Sequence, residues 1–357
     1  MRTRLLLPLV SLALIGAGCS IPGLGGPKTP AKGPDGGLWR SENTGKTWAQ
    51  AVAVPGPKGV GTMAGTNVTV LTFDPQDPSV AYAGTRENGL FLSEDGTASW
   101  RQAHAESLRA GAIVDVAVDP KDACTVYVAR GNRVLKSVDC LRSVDDQAYV
   151  EPRAKVSVTA LVVDWYNPNV VWIGLSNGDV LQSTDKGKSW RTSVSTKSAV
   201  TQIMLSRADS RQMLIGTDGA GFFRTLDAGK AWTQVTKELK DFRNATKVAA
   251  LVQDKDSGTV VAATGYGLIR SRDFGATWEG IKLLTSPGQT SIRALAMDPA
   301  ASSRLWYAAA GTFYASTDDG VTWATDPLPT ARIPQLLTLD PKNASVLYLA
   351  GAAEVKK

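Results

Sequence analysis

The stretch Ser316-Thr-Asp-Asp-Gly-Val-Thr-Trp323 reads S-x-D-x-G-x-T-W, and the chain returns to this pattern along most of its length. Ser183–Trp190 (STDKGKSW) and Ser271–Trp278 (SRDFGATW) repeat it, and Ser41–Trp48 (SENTGKTW) carries Asn43 in place of the Asp. Thr225–Trp232 (TLDAGKAW) and Ser93–Trp100 (SEDGTASW) are looser, and Ser137–Val144 (SVDCLRSV) keeps Ser and Asp but lacks Gly and Trp. Seven copies thus begin at 41, 93, 137, 183, 225, 271 and 316, with successive separations of 42 to 52 residues. A repeat of that length in a β-rich chain is the mark of a propeller.

Each copy has a mechanical reading. The Asp or Asn oxygen accepts backbone N–H groups a few residues ahead and closes a turn. The Gly supplies a positive φ at little cost. The Trp then opens the next strand and buries a large apolar face. Six of the ten tryptophans lie in these boxes, so the tryptophan content speaks of packing rather than of sugar binding.

A second signature lies upstream of each box. An apolar run ends in Asp or Asp-Pro, turns, and is followed by another apolar run, as in Val70–Asp74 to Tyr82–Gly84 and Leu337–Asp340 to Leu347–Leu349. Near-continuous apolar runs indicate strands buried on both faces, as the inner strands of a propeller are. There are seven inner pairs and seven box hairpins, but they are out of phase. The chain starts on a hairpin (Leu38 to Gln50) and ends on an inner pair (Gln335 to Ala350). The reading is therefore all-β: one seven-bladed propeller of four-stranded blades, residues 38–351, with the N-terminal outer hairpin completing the blade of the C-terminal inner pair. Closure of this kind removes exposed strand edges.

Strand order assigns the faces. Box turns and Asp-Pro turns share one rim; the loops between second and third strands and the inter-blade crossovers share the other. The stereotyped turns are structural, so function is expected on the second rim. Binding candidates there are Arg86, Arg109, Arg153, Lys155, Arg243 and Tyr266. Asp115, Arg293 and Arg332, which begin or precede inner strands, join them at the channel mouth. The crossovers carry more Lys and Arg than Asp and Glu, giving a modestly basic rim beside the alternative of a solvated mixed-charge surface.

The 357 residues are 43% hydrophobic and 20% charged, ordinary for a globular core. Met1–Arg4 is a basic start, Leu5–Ala17 a short apolar segment, and Gly16-Ala-Gly-Cys19 places small residues before a Cys. That end resembles a bacterial lipobox, with Gly16 where an aliphatic residue is usual. The resemblance implies a signal peptide over 1–18, acylation of Cys19 and a protein held at the bacterial cell envelope. Ordinary secretion with cleavage nearby is the alternative. Residues 19–37 are rich in Gly and Pro and read as a tether spanning on the order of 25 Å; residues 352–357 form a short tail. Losing Arg2 and Arg4 with the leader lowers the net charge from +6 to +4, which suits an acidic partner but does not point to nucleic acid.

Cys124 and Cys140 remain. Folding Val126–Ala129 back on Val134–Ser137 brings them together, and an envelope compartment oxidises such pairs. A bridge would close a loop of about 15 residues, worth roughly 3 kcal/mol, in the one blade whose box lacks Gly and Trp. The alternative is two buried thiols.

The repeated box over nearly all of 38–351 resembles the Asp-box (BNR) propellers. These include sialidases, xyloglucan-type endoglucanases, sortilin-type receptors and photosystem II stability/assembly factors. The layout is most similar to the last group and its bacterial relatives, which implies protein binding rather than catalysis: a scaffold, assembly factor or accessory subunit of a membrane protein complex. The alternative is a glycan-binding or sialidase-like glycoside-hydrolysing propeller using the axial funnel. Sialidases carry an R-I-P motif near the N-terminus, whereas Arg332-Ile-Pro334 precedes the last inner strand here, and no Tyr/Glu pair is evident from the sequence. Xyloglucan-type enzymes use a cleft between two propellers, and this chain has length for one. The single histidine, His104, cannot build a His-rich metal site, and no phosphate-binding or dinucleotide motif occurs, so no cofactor or metal is expected.

Overall fold

A computed structural model describes residues 33–354. The leader, Cys19, most of the expected tether and residues 355–357 lie outside them. Seven four-stranded antiparallel sheets form the blades, joined by one extra two-stranded hairpin. Blade 1 comprises Val68–Phe73, Ala81–Thr85, Leu90–Ser93 and Arg101–Gln102, from the axis outward. Blades 2 to 6 begin with inner strands Asp115–Asp119, Val158–Val163, Val200–Leu205, Val248–Gln253 and Ala294–Asp298. Blade 7 takes Ile333–Leu339 and Leu347–Ala352 from the C-terminal end, and Leu38–Ser41 and Ala49–Gln50 from the N-terminal end. Trp39 pairs with Leu349 and Arg40 with Tyr348, so the two-plus-two closure is as expected. The crossover after blade 7, expected as a loop, folds into the extra hairpin Ala53–Gly56/Gly59–Thr62.

The core is divided into seven apolar clusters, one between each pair of adjacent blades. Val116, Val126 and Val128 meet Tyr82, Leu90 and Leu92 between blades 2 and 1. Leu38, Tyr348 and Ala350 meet Leu71, Ala83 and Phe91 across the closure. The glycines ending second strands serve this packing. A Cβ on Gly174 would collide with Val200 of the next inner strand, and one on Gly216 would meet Val248 at 2.7 Å.

All seven boxes share one bonding scheme. The Ser or Thr hydroxyl donates to the Asp or Asn oxygen and accepts a backbone N–H four residues on. For Ser316 these bonds are 2.8 Å to Asp318 and 2.9 Å from Gly320 N. Ser137, in the degenerate copy, makes the same pair to Asp139 and from Leu141 N. The turn needs two successive left-handed residues. Asp319 and Gly320 supply them at φ 65° and 81°, Cys140 and Leu141 at 60° and 61°. A non-Gly residue there is strained, and the Cys124–Cys140 disulfide, as expected, holds that copy.

The box tryptophans reach further than a hairpin corner. Trp278 stacks on Phe222 of the preceding blade at 4.4 Å, and Trp48 meets Phe313 edge-on at 5.6 Å. Trp190 donates to Ala148 O in the outer strand of the preceding blade, and Trp323 to Lys282 O just past the outer strand of its own preceding blade. Each therefore wedges between blades.

Along the axis, side chains stitch the unpaired edge of one inner strand to the next blade. Thr72 Oγ1 donates to Val116 O, Asp115 Oδ2 accepts Leu161 N, and Gln202 both accepts from and donates to Leu251. This satisfies edge groups that water or another chain would otherwise take.

Candidate functional site

The crossover rim holds most of the candidates, in separate groups. At the junction of blades 1 and 2, the Arg86–Gly89 loop bonds to the crossover that carries Arg109. Gly111 N donates to Glu87 O at 2.8 Å, and Gly89 N to Gly111 O. Gly111, at φ 81°, lies under the Arg130 guanidinium. Arg130 was not among the sequence candidates; its signal was its place directly before the Gly131-Asn132 turn. Its Nε is buried and unbonded. The nearby Glu87 carboxylate is engaged by Asn67 Nδ2 at 3.0 and 3.1 Å. Among the described ion pairs, none involves Arg86, Arg109 or Arg130.

Between blades 2 and 3, Arg153 is spent internally. Its Nε and Nη2 donate to Glu151, and its Nη1 to Asp179. Glu151, 1% exposed, also accepts Arg153 N and the Tyr149 hydroxyl at 2.6 Å. Arg153 holds the Glu151 carboxyl down at about 2. Burial, then Glu151 itself, pushes the Tyr149 phenol up. This is a Tyr/Glu pair that sequence did not reveal, but it favours neutral phenol over the phenolate that a nucleophile needs. Lys155, exposed at φ 64°, stands beside it.

Blade 5 supplies a groove of about 380 Å³ lined by Tyr266, Ile281, Leu283, Leu284 and Pro287. Tyr266 packs edge-on against Phe242 at 5.2 Å, and its carbonyl accepts Gly288 N. Leu284 is 62% exposed. Arg243 follows Phe242 directly, Lys247 O accepts Gly265 N, and Lys282 lies in the groove wall. These three cations are exposed, as is Arg293, and none is in a described ion pair.

Arg332 has a different place. The end of the expected tether, Pro34–Gly37, is bonded to the ring: Gly36 N to Ala64 O and Gly37 N to Thr66 O, both 2.9 Å. Arg332 clamps this segment, with Nη1 on Thr66 O and Asn67 Oδ1 at 2.8 Å and Nε 3.4 Å from Asp35. Its guanidinium covers Gly36 so closely that a Cβ there would collide with it. Asp35 also accepts Ala331 N and Thr330 Oγ1, and these bonds with Arg332 lower its pKa. Among the described residues no hydrogen bond links Arg332 to Arg293, Tyr266 or Tyr149.

Asp115 serves the channel edge. Its carboxyl accepts Val116 N and Leu161 N, and burial pushes its pKa up to about 7. No group of three or more His, Cys, Asp or Glu suited to a metal occurs among the described residues.

A family model described as photosynthesis system II assembly factor YCF48 matches residues 9–220. A xyloglucanase of Paenibacillus sp is 28% identical over 175 residues, 38% of this chain and 17% of that protein. One of Hypocrea jecorina (strain QM6a) is 33% identical over 128 residues, 30% of this chain and 15% of that protein. The chain therefore matches about a sixth of either enzyme's length. Among solved structures, the GH74 xyloglucanase of Xanthomonas campestris aligns at TM-score 0.65 and 18% identity, over 85% of this chain and 52% of that one. YCF48 bound to a D1 peptide aligns at 0.61 and 14%, over 82% and 94%. YCF48 from Cyanidioschyzon merolae aligns at 0.59 and 15%, over 84% and 98%. At these identities the likeness is one of fold.

Proposed function

We propose, for a chain that belongs to the YCF48 photosystem II assembly factor family, a role as a membrane-tethered assembly factor or accessory subunit. Its crossover rim would dock a segment of a membrane protein complex. Acylation of Cys19 would hold it at the envelope, with the domain facing the periplasm or exterior. The observation that carries the reading is the apolar groove at Tyr266 with the exposed Arg243, Lys247 and Lys282 beside it, none of them in a described ion pair; Arg86, Arg109 and Arg130 form a second such group between blades 1 and 2. Cations around an apolar anchor suit an acidic, partly apolar peptide. The solved complex of YCF48 with a D1 peptide is consistent with peptide docking by this fold.

Affinity capture from detergent-solubilised membranes tests it. The wild-type chain should recover a stoichiometric membrane-protein partner. Arg109→Glu with Arg243→Glu should lose it, and Lys188→Glu on the opposite rim should not. Equal recovery by all three, or no partner with wild type, overturns the reading.

A further inference from the structure

On the rim opposite the crossovers, the inner-strand turn of blade 3 departs from its siblings. Blades 1, 2, 6 and 7 follow the turn Asp with a proline (Pro75, Pro120, Pro299, Pro341), whereas blade 3 places Trp165 and Tyr166 there. These are the two most exposed aromatic side chains among the described residues, at 39% and 67%. The rings stand 6.1 Å apart at 80°, forming an L-shaped corner.

The corner is held in place. Trp165 Nε1 donates to Ser206 O of blade 4 at 2.9 Å, which fixes the edge of the indole. Tyr166 N is held by Asp164 at 2.8 Å. Lys121 of blade 2 donates to Tyr166 O at 2.6 Å and lies 5.7 Å from the Tyr166 ring centre. Three blades therefore preorganise two rings that cover no core, and such ordering lowers the cost of binding. The polar neighbours Asn167, Asn169 and Arg207 are exposed.

We propose that this corner binds a β-1,4-linked pyranose chain. Sugar rings of that linkage present a flat C–H face to stack on one aromatic ring, with equatorial hydroxyls at the edge for the Asn and Arg groups. A protein hot spot would instead sit at the centre of a desolvated apolar patch, and this pair rises from a polar turn. The surface lies opposite the crossover rim, so glycan and protein partner would be held together.

The ring closes within residues 34–354, and that stretch is titrated with chitohexaose and cellohexaose by tryptophan fluorescence and calorimetry. Saturable binding is expected, weakened about tenfold or more by Trp165→Ala and by Tyr166→Ala. Tyr166 is the more exposed, so its variant answers the question if Trp165→Ala misfolds. Binding of chitohexaose alone assigns an N-acetylhexosamine strand; binding of both assigns recognition of the shared backbone. Binding of cellohexaose alone assigns an unsubstituted glucan; binding of neither sugar overturns the proposal, as does binding that Trp165→Ala and Tyr166→Ala leave unchanged. Arg109→Glu with Arg243→Glu should leave sugar binding unchanged, which separates this proposal from the crossover-rim reading.

Discussion

Replacing Arg332 by Ala should cost stability and leave binding intact. Four polar contacts go: two at 2.8 Å to Thr66 O and Asn67 Oδ1, one at 3.4 Å to Asp35 and one at 3.5 Å to Gly65 O. Hydrogen bonds to a charged group are worth about 1.5–3 kcal/mol each. The partners are not orphaned, however. Asp35 keeps Ala331 N, Asn67 keeps Ala353 N, and Thr66 O keeps Gly37 N. The loss should therefore come to about 3 kcal/mol rather than the sum of four full bonds, a fall of about 5 °C in Tm for a domain of this size. Arg332→Lys should recover little, because an ammonium cannot span the same acceptors. Arg293→Ala, on an exposed side chain in no described ion pair, should move Tm by about 1 °C or less. The pH dependence carries a sign. The Asp35 pKa is lowered in the fold, so its contribution is present above the ordinary carboxylate range and is lost as pH falls through the folded value. The gap between wild type and Arg332→Ala should accordingly narrow in acid. Thermal melts across pH, with partner capture in parallel, check this. An unchanged Tm together with lost capture would show that Arg332 is a docking residue and that the clamp is misread.

Three further perturbations test the ring. Cys124→Ser with Cys140→Ser should lower stability by about 3 kcal/mol in the chain-entropy model, and reductant should destabilise wild type but not the variant in equilibrium unfolding. Gly174→Ala should cost about 1–3 kcal/mol by overpacking against Val200, whereas Gly65→Ala, with open space around its Cβ, should be near neutral in the same denaturation assay. Asp115 has its pKa raised in the fold to about 7 from 3.8, so it favours folding increasingly as pH drops through 7 towards 4. The Tm of wild type relative to Asp115→Asn should thus be higher at pH 5 than at pH 8, and no pH dependence would contradict the burial inferred for it.

Blade number, closure and rim assignment were legible because they rest on a repeated local device. The copy at Ser137 shows why even a degenerate box could be counted: the bonds run through Ser and Asp, and Gly only relieves φ. The inter-blade reach of the tryptophans was less visible, since their partners lie a whole blade away in sequence, as Ala148 does for Trp190, or across the closure, as Phe313 does for Trp48. The candidate site was legible as a set of residue types but not as a set of available groups. Arg332 and Arg293 look alike in sequence, yet one is committed to Asp35, 297 residues distant, and the other is exposed. Arg153 and Glu151 likewise neutralise each other through a bond network that no short motif encodes. Trp165 escaped notice for the opposite reason: among so many packing tryptophans, exposure is the distinguishing fact, and only tertiary structure supplies it.

The same boxes that build the ring also carry fixed charge. Asp139, Asp185 and Asp318 are held down at about 2 by hydroxyl and backbone donors within their own turns. Their negative charge stays on the box rim well into acid. The crossover rim carries the guanidinium groups of Arg109, Arg243 and Arg293 instead. The box turns also hold Lys186, Lys188 and Lys230, so it is the cations of the crossover rim that orient an acidic partner before contact, with their influence on association rate more than on final affinity. Steering of this kind acts through solvent and weakens with salt. The association rate of the captured partner should therefore fall steeply as ionic strength rises while dissociation changes little. A rate insensitive to salt would mean that the apolar groove at Tyr266, and not the surrounding cations, governs docking.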